Sequence, residues 1–198
     1  MLSGEDLEEE LIRDCKIFHF GSLSMTSEPC RTATKKAIAM AEEAGVLLSF
    51  DPNLREPLWE TLEDAKEQIM YGLEHCHILK ISDNEIQWFT GLEDYDAGIA
   101  KIQEQFHIPL ILLSLGKDGS RAYLKNNVTD VKAEVPAFVR DDTIETTGAG
   151  DTFGGCCLHY ILEHCPQQTD INEVDWTEDD LKEMLTFANA AASIITTR

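Results

Sequence analysis

Thr146-Thr147-Gly148-Ala149-Gly150-Asp151 puts two glycines, a small residue and a carboxylate directly before an apolar run from Phe153 to Leu162. A glycine-rich turn that opens a helix points backbone N–H groups outward, and with the positive helix end they form a seat for phosphate oxygens. Asp151 adds a negative group beside that anion seat. A carboxylate there makes chemical sense when it takes a proton from a hydroxyl that attacks phosphorus, as a catalytic aspartate does in phosphoryl transfer. The plainer alternative is that Asp151 or Thr152 caps the helix, because both residue types serve as caps.

Two other phosphate motifs are excluded on spacing. No Gly-Lys-Ser/Thr follows the glycines, so the stretch is not a P-loop. Gly148, Gly150 and Gly154 miss the dinucleotide spacing by one residue.

The elements that must position this turn are those of one soluble domain. The chain has 198 residues, with 43% hydrophobic and 27% charged residues, which is ordinary globular composition. Sixteen Lys and Arg against 37 Asp and Glu give a formal charge of −21, which repels nucleic acid and anionic membranes at long range. The six cysteines form no C-x-x-C pair and no framework spacing, so a reducing, cytoplasmic location is expected. His75-Cys76-His77 is the one tight metal-type cluster; read as a strand it offers only two ligands on one face, and a structural metal is not expected. Met1 to Glu10 is acidic and polar, unlike a signal peptide, and no apolar stretch approaches membrane-spanning length.

Strand and helix signals alternate. Ile17 to Gly21 reads as a short buried strand, and Ser27-Glu28-Pro29 starts a helix stopped by Gly45. Val46 to Asp51, Ile78 to Ile81 and Pro109 to Leu115 read as further buried strands. Helices are expected over about Leu62 to Glu74, Ser82 to Phe89 and Asp94 to Phe106. Ser82 followed by Glu85 matches a capping box. Ser120 to Leu124 and Val128 to Ala133 suggest an edge hairpin, and a β-type segment is expected to run to about Val139. The glycine-rich turn then leads into a helix to about His164, a polar, acidic loop, and a last helix opened by Trp176 to Asp180. That helix carries the apolar stripe Leu181, Met184, Leu185, Ala188, Ala192 and Ile195. Alternation of this kind predicts an α/β fold with a mainly parallel sheet joined by right-handed crossovers, and ligands beyond the C-terminal strand ends. Asp51, Ser82, Gly116 and Asp151 would lie near that edge.

Glu145-Thr-Thr-Gly-Ala-Gly-Asp151-Thr-Phe-Gly-Gly155 resembles the second signature of the ribokinase-like (PfkB) carbohydrate kinases, whose usual form is Asp-Thr-x-Gly-Ala-Gly-Asp. His19 to Ser24, Phe50-Asp-Pro-Asn-Leu-Arg-Glu-Pro-Leu-Trp59, Leu79-Lys-Ile-Ser-Asp-Asn-Glu85, Ser114 to Gly119 and Phe187 to Ala192 resemble the fructokinase branch in order and spacing. The resemblance implies a three-layer α/β/α ribokinase-like fold, with residues 1–198 as a single truncated domain. It corresponds to the C-terminal two-thirds of such a kinase, without the family's Gly-Gly sugar-binding signature, its β-sheet lid and its extreme C-terminus.

Roles follow from that resemblance. Asp151 is implied as the base, with Gly148, Ala149 and Gly150 supplying the anion hole. Ser82, Ser114, Gly116, Gly119 and Asn189 would border the nucleotide, Asn189 against the adenine. Plain alternatives are a turn closing a strand for the glycines and a bond to loop backbone for Asn189. Glu85 and Arg55 would be linked to magnesium and phosphate, against a simple cap for Glu85 and a surface ion pair of Arg55 with Glu56 or Glu60. Glu145, where the family has aspartate, and Thr147 fall at its monovalent-cation site, and the longer side chain weighs against a potassium requirement. ATP and Mg2+ are the implied cofactors, with K+ as a further candidate. The implied partners are a small sugar and a nucleotide, with no nucleic acid and no membrane. Three functions stand: an ATP-dependent fructokinase-like kinase; a nucleotide-binding or assembly domain of weak or no activity, open to homodimerisation; and a kinase for another sugar or a nucleoside.

Overall fold

The computed structural model describes residues 2–165 and 170–198. Part of the acidic loop expected after His164 falls on 166–169 and lies outside the described residues. The chain divides into two compact units, Met1–Ile108 and Pro109–Arg198.

In the first unit three strands, β1 (Ile17–Gly21), β2 (Leu47–Asp51) and β3 (Ile78–Ser82), pair in parallel. Their near-continuous apolar sequence is what a strand covered on both faces requires, and Leu48, Phe50, Ile78 and Leu79 are all fully buried. Parallel pairing needs crossovers, which α2 (Cys30–Glu43) and α3 (Leu62–His75) provide. Right-handed connections put both helices on one face, where Arg31 Nη2 reaches Asp64 Oδ2 at 2.6 Å. Close packing of α3 on β2 depends on Gly72, since a Cβ there would meet the Phe50 ring at 2.4 Å. After β3 come α4 (Asp83–Thr90) and α5 (Tyr95–Phe106), the latter capped by Asp94. The register Gly21↔Asp51 brings the C-terminal ends of β1 and β2 to one edge.

The second unit is an antiparallel meander, β4 (Leu110–Ser114), β5 (Ser120–Lys125) and β6 (Asp130–Val135), followed by α6 (Ala149–His164) and α7 (Glu178–Ile195). The hairpin expected from sequence is β5–β6. Its turn is organised by Asn126, whose Oδ1 accepts from Val128 and Thr129 and whose Nδ2 donates to the Ile171 and Val174 carbonyls. Strand β6 ends at Val135 rather than near Val139, because Pro136 lacks the N–H that a continued ladder needs. Residues 136–148 carry no regular element. Along α7, Leu181, Met184, Leu185 and Ala188 of the expected stripe are fully buried, while Ala192 and Ile195 are only half-buried.

Two expectations fail in detail. The acidic start contains a six-residue helix, α1 (Glu9–Asp14), too short to show a periodic pattern, which buries Ile12. His75-Cys76-His77 is not a strand: His75 ends α3 and Cys76 is its C-cap. The two histidines then serve separate partners, His75 Nδ1 with Glu42 at 2.6 Å and His77 Nδ1 accepting from the Leu48 N–H at 3.0 Å.

Candidate active site

In the second unit the glycine-rich turn becomes the start of α6. The Ala149 N–H donates to the Thr146 carbonyl at 3.1 Å and closes the turn. Gly148 is the N-cap, at φ 77°, a left-handed conformation that favours glycine. A Cβ on Gly148 would meet nothing within 4 Å, so the glycine is required by conformation and the space beside it is open.

This arrangement removes the capping reading of Asp151. No side chain caps α6, and Asp151 is the third residue inside the helix, exposed, with no hydrogen bond or ion pair among the described residues. Phe153, Cys157, Tyr160 and Ile161 are buried and fix the inward face of the helix. Asp151 precedes Phe153 by two positions, about 200° around a helix of 3.6 residues per turn, and therefore points outward. Of the three amides expected to face an anion, two are left open. The Ala149 N–H is bonded to Thr146, whereas the N–H groups of Gly148, Gly150 and Asp151 have no acceptor among the described residues. The amide of Asp151 itself is the member that sequence reasoning missed, because only the back-bond to Thr146 shows which amides are left over.

Ser114 ends β4 and is followed by a tight turn, in which the Leu115 N–H donates to the Gly119 carbonyl at 2.9 Å and the Gly119 N–H to Gly116 at 3.3 Å. The two glycines differ. Gly116 (φ 56°) is exposed with nothing within 4 Å of a would-be Cβ, while a Cβ at Gly119 (φ 110°) would stand 2.2 Å from the Val135 carbonyl. Gly119 is thus explained by backbone packing, and Gly116 remains open to a ligand.

Asn189 follows its plainer alternative. It is buried, its Oδ1 accepts from Ser120 Oγ at 2.9 Å, and its Nδ2 donates to the Val135 and Pro136 carbonyls at 3.2 Å each. Both its donor hydrogens serve the end of β6, so it shapes that loop. Glu145 and Thr147 are exposed, and their side chains carry no hydrogen bond among the described residues. The backbone N–H groups of Ile144 and Glu145 both donate to the Thr196 carbonyl, at 2.8 and 3.3 Å, which ties the segment to the end of α7.

The first unit holds a second cluster, around the loop that follows β2. The predicted capping box is present: Glu85 Oε2 accepts from the Ser82 N–H at 2.9 Å and from Ser82 Oγ at 2.8 Å. Glu85 does more than cap, since its Oε1 accepts from the Leu54 N–H at 2.8 Å. Asp51 Oδ1 accepts from the Asn53 N–H at 3.2 Å, and Asp51 Oδ2 pairs with Lys80 Nζ at 2.9 Å. Burial pushes the Asp51 carboxyl above the usual carboxylate range, against the pull of the Lys80 ammonium. The loop ends at Arg55, which is exposed. The ion pair expected with Glu56 or Glu60 is not formed, and the guanidinium reaches only the Leu54 carbonyl, at 3.4 Å. No helix among the described residues is long and apolar enough to cross a membrane.

The sequence matches the model of the pfkB family of carbohydrate kinases over residues 2–198. Among curated relatives, "Probable fructokinase-2" of Arabidopsis thaliana is 42% identical over all of this chain and 56% of its own length. Among solved structures, fructokinase from Vibrio cholerae O395, in a fructose, ADP and calcium ion bound form, superposes with a TM-score of 0.78 at 28% identity, covering 97% of this chain and 59% of that one. Aminoimidazole riboside kinase from Salmonella enterica, complexed with aminoimidazole riboside and an ATP analog, gives 0.77 at 26% identity over 99% of this chain and 60% of its own. The chain therefore spans a little over half the length of these relatives.

Proposed function

Because the chain belongs to the pfkB family of carbohydrate kinases, we propose that it carries the phosphoryl-transfer portion of an ATP-dependent sugar kinase with fructose as acceptor. The observation that carries this reading is the start of α6: open amides at a positive helix end, next to an exposed carboxylate free of any protein partner among the described residues. In the proposed reaction the Asp151 carboxylate accepts the proton of the sugar hydroxyl as its oxygen bonds to the γ-phosphorus of ATP, while the bond from that phosphorus to the β–γ bridging oxygen breaks and ADP leaves. The N–H groups of Gly148, Gly150 and Asp151 stabilise the charge that gathers on the transferred phosphoryl oxygens. Gly116 lets the nucleotide approach the backbone after β4. Ser114, Gly119 and Asn189 act on the nucleotide side by fixing that turn and the end of β6.

Arg55 supplies cationic charge to phosphate oxygens in a protein whose formal charge is −21. Ser82 and Glu85 serve the same side by holding the loop from which Arg55 leaves. Among the described residues no three His, Cys, Asp or Glu side chains gather into a metal cage. Magnesium would screen the charge of the triphosphate, with Glu85 and Arg55 the residues linked to it by resemblance. Glu145 stands where the family has aspartate, and its longer side chain weighs against a potassium requirement. The cytoplasm is the compartment that suits six unpaired cysteines.

A second acceptor class, a riboside, is supported by the likeness to the Salmonella enzyme. ADP release measured with ATP, magnesium and either fructose or a riboside separates the two, with Asp151→Ala as control. Fructose-dependent turnover that disappears in the variant supports the proposal. Equal turnover in wild type and variant removes Asp151 as base.

A further inference from the structure

Lys80 sits in the middle of β3 between Leu79 and Ile81, and it is only 8% exposed. Lysine is almost never buried unless paired, and a buried ion pair gives little or no stability over an apolar pair of the same volume. The position calls for a purpose other than packing, and the partner's second oxygen supplies one. Lys80 Nζ holds Asp51 Oδ2, which leaves Oδ1 turned to the Asn53 N–H. Asn53 has φ 42°, a left-handed conformation that asparagine tolerates better than most residues with a side chain.

Each of the three residues after Asp51 is held by a different element. The Pro52 carbonyl accepts from Ser22 Oγ, the Asn53 N–H is taken by Asp51 and the Leu54 N–H by Glu85. The next residue is Arg55, exposed and without an ion-pair partner among the described residues. We infer that the buried Lys80–Asp51 pair is a positioning device for Arg55: the ammonium orients the carboxylate, the carboxylate sets the left-handed turn at Asn53, and the turn aims the guanidinium. This rests on the phosphate role given to Arg55 above. Lys80 and Asp51 are positioning residues, since neither is placed against substrate.

The test uses the full chain and two readouts, amide hydrogen exchange at Asn53 and calorimetric affinity for ATP with magnesium. Asp51→Asn is nearly isosteric but offers one oxygen where there were two. Lys80 captures it, the Asn53 N–H loses its acceptor, and exchange there speeds up about fivefold or more, as expected for one lost hydrogen bond. ATP affinity falls in parallel. Adding Lys80→Met to Asp51→Asn releases the amide oxygen to Asn53, and both readouts return toward wild type, a rescue that a merely structural pair would not give. Arg55→Ala weakens ATP binding about tenfold, and Asp51→Asn adds nothing further in that background.

Unchanged exchange at Asn53 in Asp51→Asn, absence of rescue by Lys80→Met, or additive losses with Arg55→Ala would each overturn the inference. Should Arg55→Ala leave ATP affinity untouched, the phosphate role of Arg55 fails, while the exchange data still report separately whether the pair holds the loop.

Discussion

The loop at 51–55 and the turn at 146–151 are both polar, yet they are built in opposite ways. In the first, partners inside the protein hold the chain from Asp51 to Leu54: Glu85 accepts three hydrogen bonds, Asp51 accepts one and pairs with Lys80, and Ser22 holds Pro52. In the second, one back-bond closes the turn, and the remaining amides and the Asp151 carboxylate have no partner among the described residues. Groups that bond to each other hold a shape. Groups left open at a positive helix end are available to a ligand, and under the proposed function the difference separates a region that positions from a region that reacts.

Substitutions that remove the two carboxylates sharpen this contrast most. Asp151→Ala is expected to lower turnover about 10²–10⁴-fold, the usual contribution of a positioned base, while the thermal midpoint stays where it was. Glu85→Ala strands three donors and should cost about 2 kcal/mol or more in urea unfolding, whatever it does to turnover. If Asp151→Ala proved the more destabilising of the two, the contrast between open and closed regions would be lost.

The glycines allow a finer comparison within the second unit. Gly119→Ala combines φ 110° with a Cβ 2.2 Å from the Val135 carbonyl, so the loss of unfolding free energy should exceed about 2 kcal/mol. Gly148→Ala has the same sign of φ but open space around the new carbon, and about 1 kcal/mol of strain is expected from the left-handed backbone alone. Equal losses at the two sites would mean that packing at Gly119 is softer than the close approach implies.

The smallest expected effect is on alkaline titration. Burial, together with Glu183, pushes the Tyr160 phenol up to about 12 from its ordinary value of 10.0. The folded state then keeps a proton that the unfolded chain releases, so stability falls as pH rises from about 10 to about 12. Absorbance of tyrosinate during a pH titration should include a late step near pH 12 from Tyr160, above the smaller upward shift that burial gives Tyr71. Phe substituted for Tyr160 should remove that late step.

Much of the scaffold was legible because its signals are local. Continuous apolar runs marked β2, β3 and β4, Gly45 marked a helix end, and Ser82 with Glu85 marked a capping box that the structure contains. The start of α6 was also legible, down to the exposed carboxylate. What sequence did not reveal depends on contacts between distant residues. Asn189 turned out to bond Ser120, Val135 and Pro136, and the Ala149 amide to close the turn on Thr146. The Lys80–Asp51 pair did leave a trace, a lysine inside an otherwise apolar strand, but its partner lies 29 positions away and no local pattern names it. Helix α1 escaped because six residues are too few to show a period.

The most direct measurement is an amide chemical-shift titration of the isotope-labelled chain with ATP and magnesium. The account predicts saturable shifts at Gly148, Gly150 and Asp151, with Ala149 moving less because its N–H is already bonded to Thr146. Saturation of nucleotide binding with those three amides unmoved would contradict the claim that the start of α6 receives the phosphoryl group.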